Sequence, residues 1–273
     1  MYVSCSSCVE AHRPLPEALE RIAELGFRSA DLIVIEGMEH IQPSHLALAQ
    51  EEGAPAEDAI RAIGQAVSRS GLQVSSLNCG LSVPFSDEAH ARARIEREWL
   101  AILRLAEEVQ CSLLTMQLGG YGKLVGRVEA FDRGLAGLGW LLELTGNRDV
   151  RLSFEPHSGS PAEKPADALY LAKRLWPEVG ITYDPSHFEM QPDIVSLQET
   201  EPLLDYTVHV HVRNAAIGRM QAPMDEGTVD FAWLVTALEK RNYTGALAIE
   251  YLDGAEPEAI KLRDLLLKLG VSP

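Results

Sequence analysis

Short β-branched or apolar runs alternate with amphipathic stretches of helical period along the whole chain, and about eight such units can be read. No other feature restricts the fold as strongly. A strand that rejoins its sheet after a helix runs parallel to its predecessor, through a right-handed crossover. With close to eight repeats, closure into a barrel is favoured over an open sheet, and 273 residues suit a fold that uses roughly 250. The spacing predicts strands over residues 2–7, 29–35, 73–81, 112–118, 150–157, 179–184, 206–213 and 246–251. It predicts helices over 15–25, 57–70, 88–109, 131–145, 165–175, 194–204, 231–241 and 257–269. Gly26, Gly71, Gly146 and Gly270 stand as stop residues, and Asp230 is a suitable N-cap. No linker or low-complexity tract interrupts the pattern. The expected fold class is α/β, a single (β/α)₈ TIM barrel forming one domain over 1–273. The segment 36–55 exceeds an ordinary βα connection and carries His40 and His45; a long loop of this kind is expected to cover a site.

Charge narrows the partners. Asp and Glu number 40 against 24 Lys and Arg, a net charge of −16. A basic stripe for a phosphate backbone is missing, so no nucleic acid partner is expected. No apolar run approaches the roughly 18 residues of a membrane span, so no membrane partner is expected. Met1 to Cys5 lack the basic-then-apolar pattern of a signal peptide. Cys5 and Cys8 form a lone CxxC with no second pair, and with Cys79 and Cys111 they read as small buried hydrophobes. Reduced thiols and the missing leader make the cytoplasm the expected location.

The chemistry sits at strand ends. In a (β/α)₈ barrel the active site lies at the C-terminal ends of the strands, and residues two apart on a strand share a face. The fifth strand places Ser153, Glu155 and His157 opposite Leu152 and Phe154. The sixth ends in Asp184, the seventh alternates valines with His209, His211 and Arg213, and the eighth sets Glu250 opposite Leu247 and Ile249. Four successive strands thus each deliver an acid or a histidine to one rim. Unpaired charges there are costly, and a single divalent cation on Glu155, Asp184, His211 and Glu250 relieves all of them together. Two glutamates, an aspartate and an imidazole suit Mn²⁺ or Mg²⁺, with Co²⁺ or Zn²⁺ as alternatives. His209 and His211 compete for the ligand role; His211 is nearer the strand end. His187, Arg213, His157 and His209 complete the polar set expected around a substrate, with His209 one layer deeper and hydrogen-bonded in the barrel.

The pieces Phe154-Glu155-Pro156-His157, Asp184-Pro185-Ser186-His187, His209-Val210-His211-Val212 and Ile249-Glu250 resemble the xylose isomerase-like barrels, in the sugar phosphate isomerase/epimerase branch. The stretches 218–223 and 226–231 are similar to that family's seventh βα connection. The resemblance spans essentially the whole chain. It implies Glu155, Asp184, His211 and Glu250 as ligands of one metal, Glu155 and Glu250 as the acid/base pair, and His187 as a substrate contact. It also implies a sugar or polyol substrate and a homodimer. The endonuclease IV branch, with three zinc ions, is disfavoured: Asn78 and Gln117 stand near the third and fourth strand ends, and Asp225-Glu226-Gly227 replaces the Asp-x-His pair expected after the seventh.

The expected reaction is isomerisation or epimerisation, by proton abstraction next to a carbonyl through a metal-stabilised enediolate. Loss of a β-hydroxyl from the same enolate would make the enzyme a dehydratase of a keto-polyol, of the inosose or 3-dehydroshikimate type. A non-catalytic sugar-binding barrel would keep the same fold. His157 and Arg213 make the mouth more cationic, which favours an acidic or phosphorylated polyol.

Overall fold

The computed structural model describes residues 1–38, 40–51, 55–80, 89–118, 127–194, 196–252 and 254–273. Eight strands run β1 (Tyr2–Ser6), β2 (Ser29–Val34), β3 (Gln73–Cys79), β4 (Leu113–Gln117), β5 (Arg151–Glu155), β6 (Val179–Tyr183), β7 (Thr207–Val212) and β8 (Ala246–Ile249). They are parallel and close in sequence order, with β1 paired to both β2 and β8. The chain is therefore a (β/α)₈ barrel. Every expected strand is present, trimmed by a residue or two where the chain leaves the ladder. Residues 81 and 88, at the ends of an expected strand and helix, lie outside the described residues.

The helices between the strands are α1 (Leu15–Glu24), α2 (Pro43–Glu51), α3 (Pro55–Ser70), α4 (Ala89–Glu108), α5 (Arg127–Thr145), α6 (Pro165–Leu175), α7 (Ser186–Glu189), α8 (Phe231–Glu239) and α9 (Glu256–Lys268). Two were not expected. α2 lies inside the long 36–55 connection, of which residues 39 and 52–54 fall outside the described residues. α7 is a single turn after β6, started by Ser186 N–H donating to Asp184 Oδ1 at 2.8 Å. The helix expected over 194–204 is instead a 3₁₀ segment, Leu197–Tyr206, with Pro202 inside it. Proline supplies no N–H and clashes with the carbonyl four residues back, so tighter turns replace the α ladder. No described helix is long and apolar enough to cross a membrane.

The pleat sorts each strand into two chemistries. Outward residues such as Leu152, Phe154, Ile181, Tyr183, Val210, Val212, Leu247 and Ile249 are fully buried against the helices. Inward residues are mostly polar. Thr115, Ser153 and Thr182 form a hydroxyl triangle with sides of 3.2, 2.9 and 2.7 Å. Barrels of this class usually fill the lumen with branched aliphatics; here hydrogen bonds must satisfy what packing would otherwise seal. All four cysteines are free and buried, and Cys8 Sγ donates to the Tyr251 carbonyl at 3.1 Å.

One close approach in the wall is testable. A Cβ added at Gly180 of β6 would lie 2.6 Å from both methyl groups of Val208 on β7. Gly180→Ala is expected to destabilise the fold by about 1–3 kcal/mol through overpacking. A urea unfolding curve should show this as a lower midpoint with unchanged slope.

Candidate functional site

β5 to β8 end side by side, so the alternation that faces Leu152 and Phe154 outward turns Glu155 inward at the rim. The same holds for Asp184 just past β6, His211 on β7 and Glu250 just past β8. One ligand-type atom from each of these four residues lies within 4.8 Å of the others, and all four residues are buried. His211 Nδ1 is 2.9 Å from Glu155 Oε1 and 3.6 Å from Glu250 Oε2. The structure thus brings together the four residues singled out from the sequence.

Arg213 occupies the same space. It is 4 % exposed, and its guanidinium sits 2.8 Å from Asp184 Oδ2 and 3.1 Å from Glu250 Oε2. Its Nε also donates to Ser186 Oγ at 2.9 Å. It was expected one step nearer the mouth, holding substrate. In the structure its guanidinium lies deeper than that, against the buried acids, because an arginine next to buried carboxylates is drawn to them.

His187 is fully buried, with Nε2 3.6 Å from Asp184 Oδ2 and 3.2 Å from an Arg213 nitrogen. Its ring packs at 4.0 Å centroid distance on that of His157. His157 is only partly buried, and its Nδ1–H donates to the Ser158 carbonyl at 2.7 Å. His209, counted among the substrate contacts, is 1 % exposed and lies a layer deeper, with Nε2 3.0 Å from Asp31 Oδ2. That depth agrees with a hydrogen-bonded role in the barrel rather than with touching a substrate.

Asp31 and Asn78 went unassigned in the sequence. Asp31 on β2 is fully buried and meets both β7 histidines, with Oδ2 3.3 Å from His211 Nε2. Ser76 Oγ donates to the same oxygen. Asn78 Nδ2 donates to Glu250 Oε1 at 2.8 Å. A signal for Asp31 existed: it is the one acid in the run Ser29-Ala30-Asp31-Leu32-Ile33-Val34, and a charge in a buried strand needs a partner. For Asn78 there was none, since an amide at a strand end is common. Asn214 likewise carries no motif in the sequence. Its amide donates to the carbonyls of Pro223 and Met224 and its Oδ1 accepts from Ala215 N and Val229 N, which pins the loop after β7.

Glu155, Asp184 and Glu250 converge at the rim around Arg213 and His211, and Asp31 lies beneath His211. Burial raises Glu155, but the hydrogen bond and charge of His211 outweigh it and hold the carboxyl below the usual range. Burial raises Glu250, and the repulsion of Glu155 and Asp184 adds to this against His211 and Arg213. Burial opposes a charge on His211, yet Glu250, Asp31 and Glu155 together lift it well above the ordinary imidazole value. Burial pushes His187 well down, toward the neutral ring. Three carboxylates and an imidazole converging with excess negative charge fit a hard divalent cation. Two overlapping groups, Asp31–His209–His211 and Glu155–His157–His187, also bring ligand-type atoms within 4.8 Å.

Comparison with known proteins agrees with this architecture. No curated protein sequence matches the chain. In structure it is similar to 3-keto-D-glucoside 4-epimerase from E. coli, at 19 % identity and TM-score 0.73, covering 99 % of both chains. It is similar to a D-tagatose 3-epimerase-like protein at 20 % identity and TM-score 0.77, covering 98 % of this chain and 97 % of the other. A xylose isomerase-like TIM barrel protein from Mycobacterium smegmatis, solved in complex with magnesium, aligns at 16 % identity and TM-score 0.76, covering 98 % and 96 %. At these identities the likeness speaks for the fold alone. The sequence profile of the xylose isomerase-like TIM barrel matches residues 19–268, and the chain belongs to that family.

Proposed function

We propose that this protein is a divalent-metal-dependent isomerase or epimerase of a sugar or sugar derivative, working by proton transfer next to a carbonyl. The observation that carries the reading is the convergence of Glu155, Asp184, His211 and Glu250, from four successive strands, within 4.8 Å. These residues would hold the ion, with Mn²⁺ the best match and Mg²⁺, Co²⁺ or Zn²⁺ as alternatives. When bound, a divalent ion polarises a substrate carbonyl and offsets the charge that builds on its oxygen. Glu155 takes the proton from the carbon beside that carbonyl at a carboxylate oxygen, and Glu250 delivers one from the other side; in the reverse direction they exchange roles. Arg213, fixed by Asp184 and Glu250, keeps a positive charge beside the reacting oxygens. His157, at the open side, meets a substrate hydroxyl at Nε2, and the His187 ring, tilted against it at 4.0 Å between centroids, holds it in place. The names of the epimerases that share the fold support a small sugar or polyol as the substrate class.

The His157–His187 pair beside Glu155 favours a second reading. A histidine facing a β-hydroxyl can protonate it as it leaves, which turns the same proton abstraction into dehydration of a keto-polyol. A deuterium-exchange screen over keto-sugars, inososes and sugar acids, in D₂O with Mn²⁺, tests both. Exchange with recovery of an epimer or isomer supports the first reading, and exchange with loss of water supports the second. No exchange with any of them would count against enzyme action on this substrate class.

Ion binding itself carries a pH signature. Without an ion His211 keeps its proton above the ordinary imidazole range, so loading must expel it. Affinity therefore rises with pH and falls as pH drops, by about tenfold per pH unit while one proton is displaced. Titration of the protein with Mn²⁺ at several pH values checks the slope. Elemental analysis of the loaded protein should find one ion per chain, and three would point to the nuclease-type alternative.

A further inference from the structure

We propose that Asp31 is a positioning residue that holds His211 in the tautomer able to bind a cation. The proposal rests on the metal reading above. His211 has two very different neighbours. Nδ1 looks to the rim, 2.9 Å from Glu155 Oε1 and 3.6 Å from Glu250 Oε2. Nε2 looks down the lumen, 3.3 Å from Asp31 Oδ2. A neutral imidazole carries one proton, and the nitrogen that keeps it is the one with the better acceptor. Glu155 competes for that proton at Nδ1. If Glu155 won, no lone pair would face the rim and the imidazole would be lost as a ligand. Asp31 is the acceptor that draws the proton to Nε2 and leaves Nδ1 with its lone pair among the three carboxylates. A ligating histidine whose far N–H meets a carboxylate is a recurring arrangement at metal sites.

The fold spends a local irregularity on this contact. The β2–β3 ladder shifts register between Ala30 and Asp31, where Ala30 pairs with Val74 but Asp31 pairs with Ser76. A bulge of this type re-aims a side chain. Here it sets Asp31 level with Ser76, whose hydroxyl donates to Asp31 Oδ2. His209 Nε2 approaches the same oxygen at 3.0 Å, so the carboxylate is held on three sides. Asp31 Oδ1 has no hydrogen-bond partner and is buried. One oxygen is thus dedicated to the β7 histidines and Ser76, which suits orientation better than ligation of a second ion.

Two measurements test this without relying on turnover. The first is direct titration of Asp31→Asn with Mn²⁺. Its affinity is expected to fall about 10–100-fold, as for other outer partners of ligating histidines, with the protein still folded at the assay temperature. Ser76→Ala, which removes a neighbour of Asp31 but not of His211, is expected to bind almost as the parent does. The second is the imidazole tautomer in ¹⁵N-histidine protein loaded with diamagnetic Mg²⁺, where His211 should carry its proton on Nε2. A folded Asp31→Asn protein with parental affinity would overturn the proposal. So would a proton on Nδ1 in the loaded parent, a Ser76→Ala loss as large as that of Asp31→Asn, or a drop from two bound ions to one. Should Asp31→Asn not fold, the tautomer of the parent decides alone. A parent that binds no ion would bring down the metal reading, whereas failure of the Asp31 role leaves parental binding intact.

Discussion

Glu155→Gln is expected to abolish exchange of a substrate's α-proton with solvent while the barrel stays folded. Glutamine keeps the shape of the side chain and can still meet His211 through an amide oxygen, so packing on the inner face of β5 is little changed. It cannot accept a proton from carbon, and it removes one negative ligand from the rim. Loss of a general base costs about 10²–10⁴-fold, and weaker ion binding adds to this. The loss should therefore fall below detection in a deuterium-incorporation assay followed by mass spectrometry. The control is saturation with Mn²⁺: restored ion binding without restored exchange separates the proton-transfer role from the ligand role. A Glu155→Gln protein that exchanges at the parental rate would end the catalytic account for this residue.

Arg213→Met should produce the largest stability change of any single rim substitution. Arg213 is buried and neutralises Asp184 and Glu250 at 2.8 and 3.1 Å. Methionine fills much of the volume but leaves two buried carboxylates without their cation. Removing one partner of a buried pair costs about 3–5 kcal/mol. The lower end applies here, because burial and the nearby Glu155 and Asp184 already raise Glu250, and it can take up a proton once Arg213 is gone. At about 2–4 °C per kcal/mol for a chain of this size, ion-free Arg213→Met should melt roughly 6–12 °C below the parent. Because a divalent ion supplies charge at the same carboxylates, Mn²⁺ should return more stability to Arg213→Met than to the parent. A variant that melts with the parent would mean that solvent, rather than Arg213, screens these acids.

Several of the rim assignments could be made before any fold was available because they depend on a short-range rule. Side chains alternate along a strand, so Phe154 outward requires Glu155 inward, and Ile249 outward requires Glu250 inward. When four consecutive strands obey the same rule, a parallel barrel must bring their ends together. The 3₁₀ segment Leu197–Tyr206 carries an apolar spacing close to that of an α-helix, and Pro202 decides against the α form. The helix α2 was hidden because its apolar pattern is weak and it sits in a connection that reads as loop.

Local pattern therefore determined the closed (β/α)₈ architecture, the inward face of each strand and the identity of Glu155, Asp184, His211 and Glu250 as neighbours. Tertiary structure alone decided that Asp31, about 180 residues before His211, lies beneath it, that Asn78 holds Glu250, and that Arg213 turns into the acids instead of out toward the mouth. The physical reason is range. Pleat and period act over a few residues, whereas the partner of a buried charge is set by which strands barrel closure places across the lumen, and by a one-residue register shift that no propensity records.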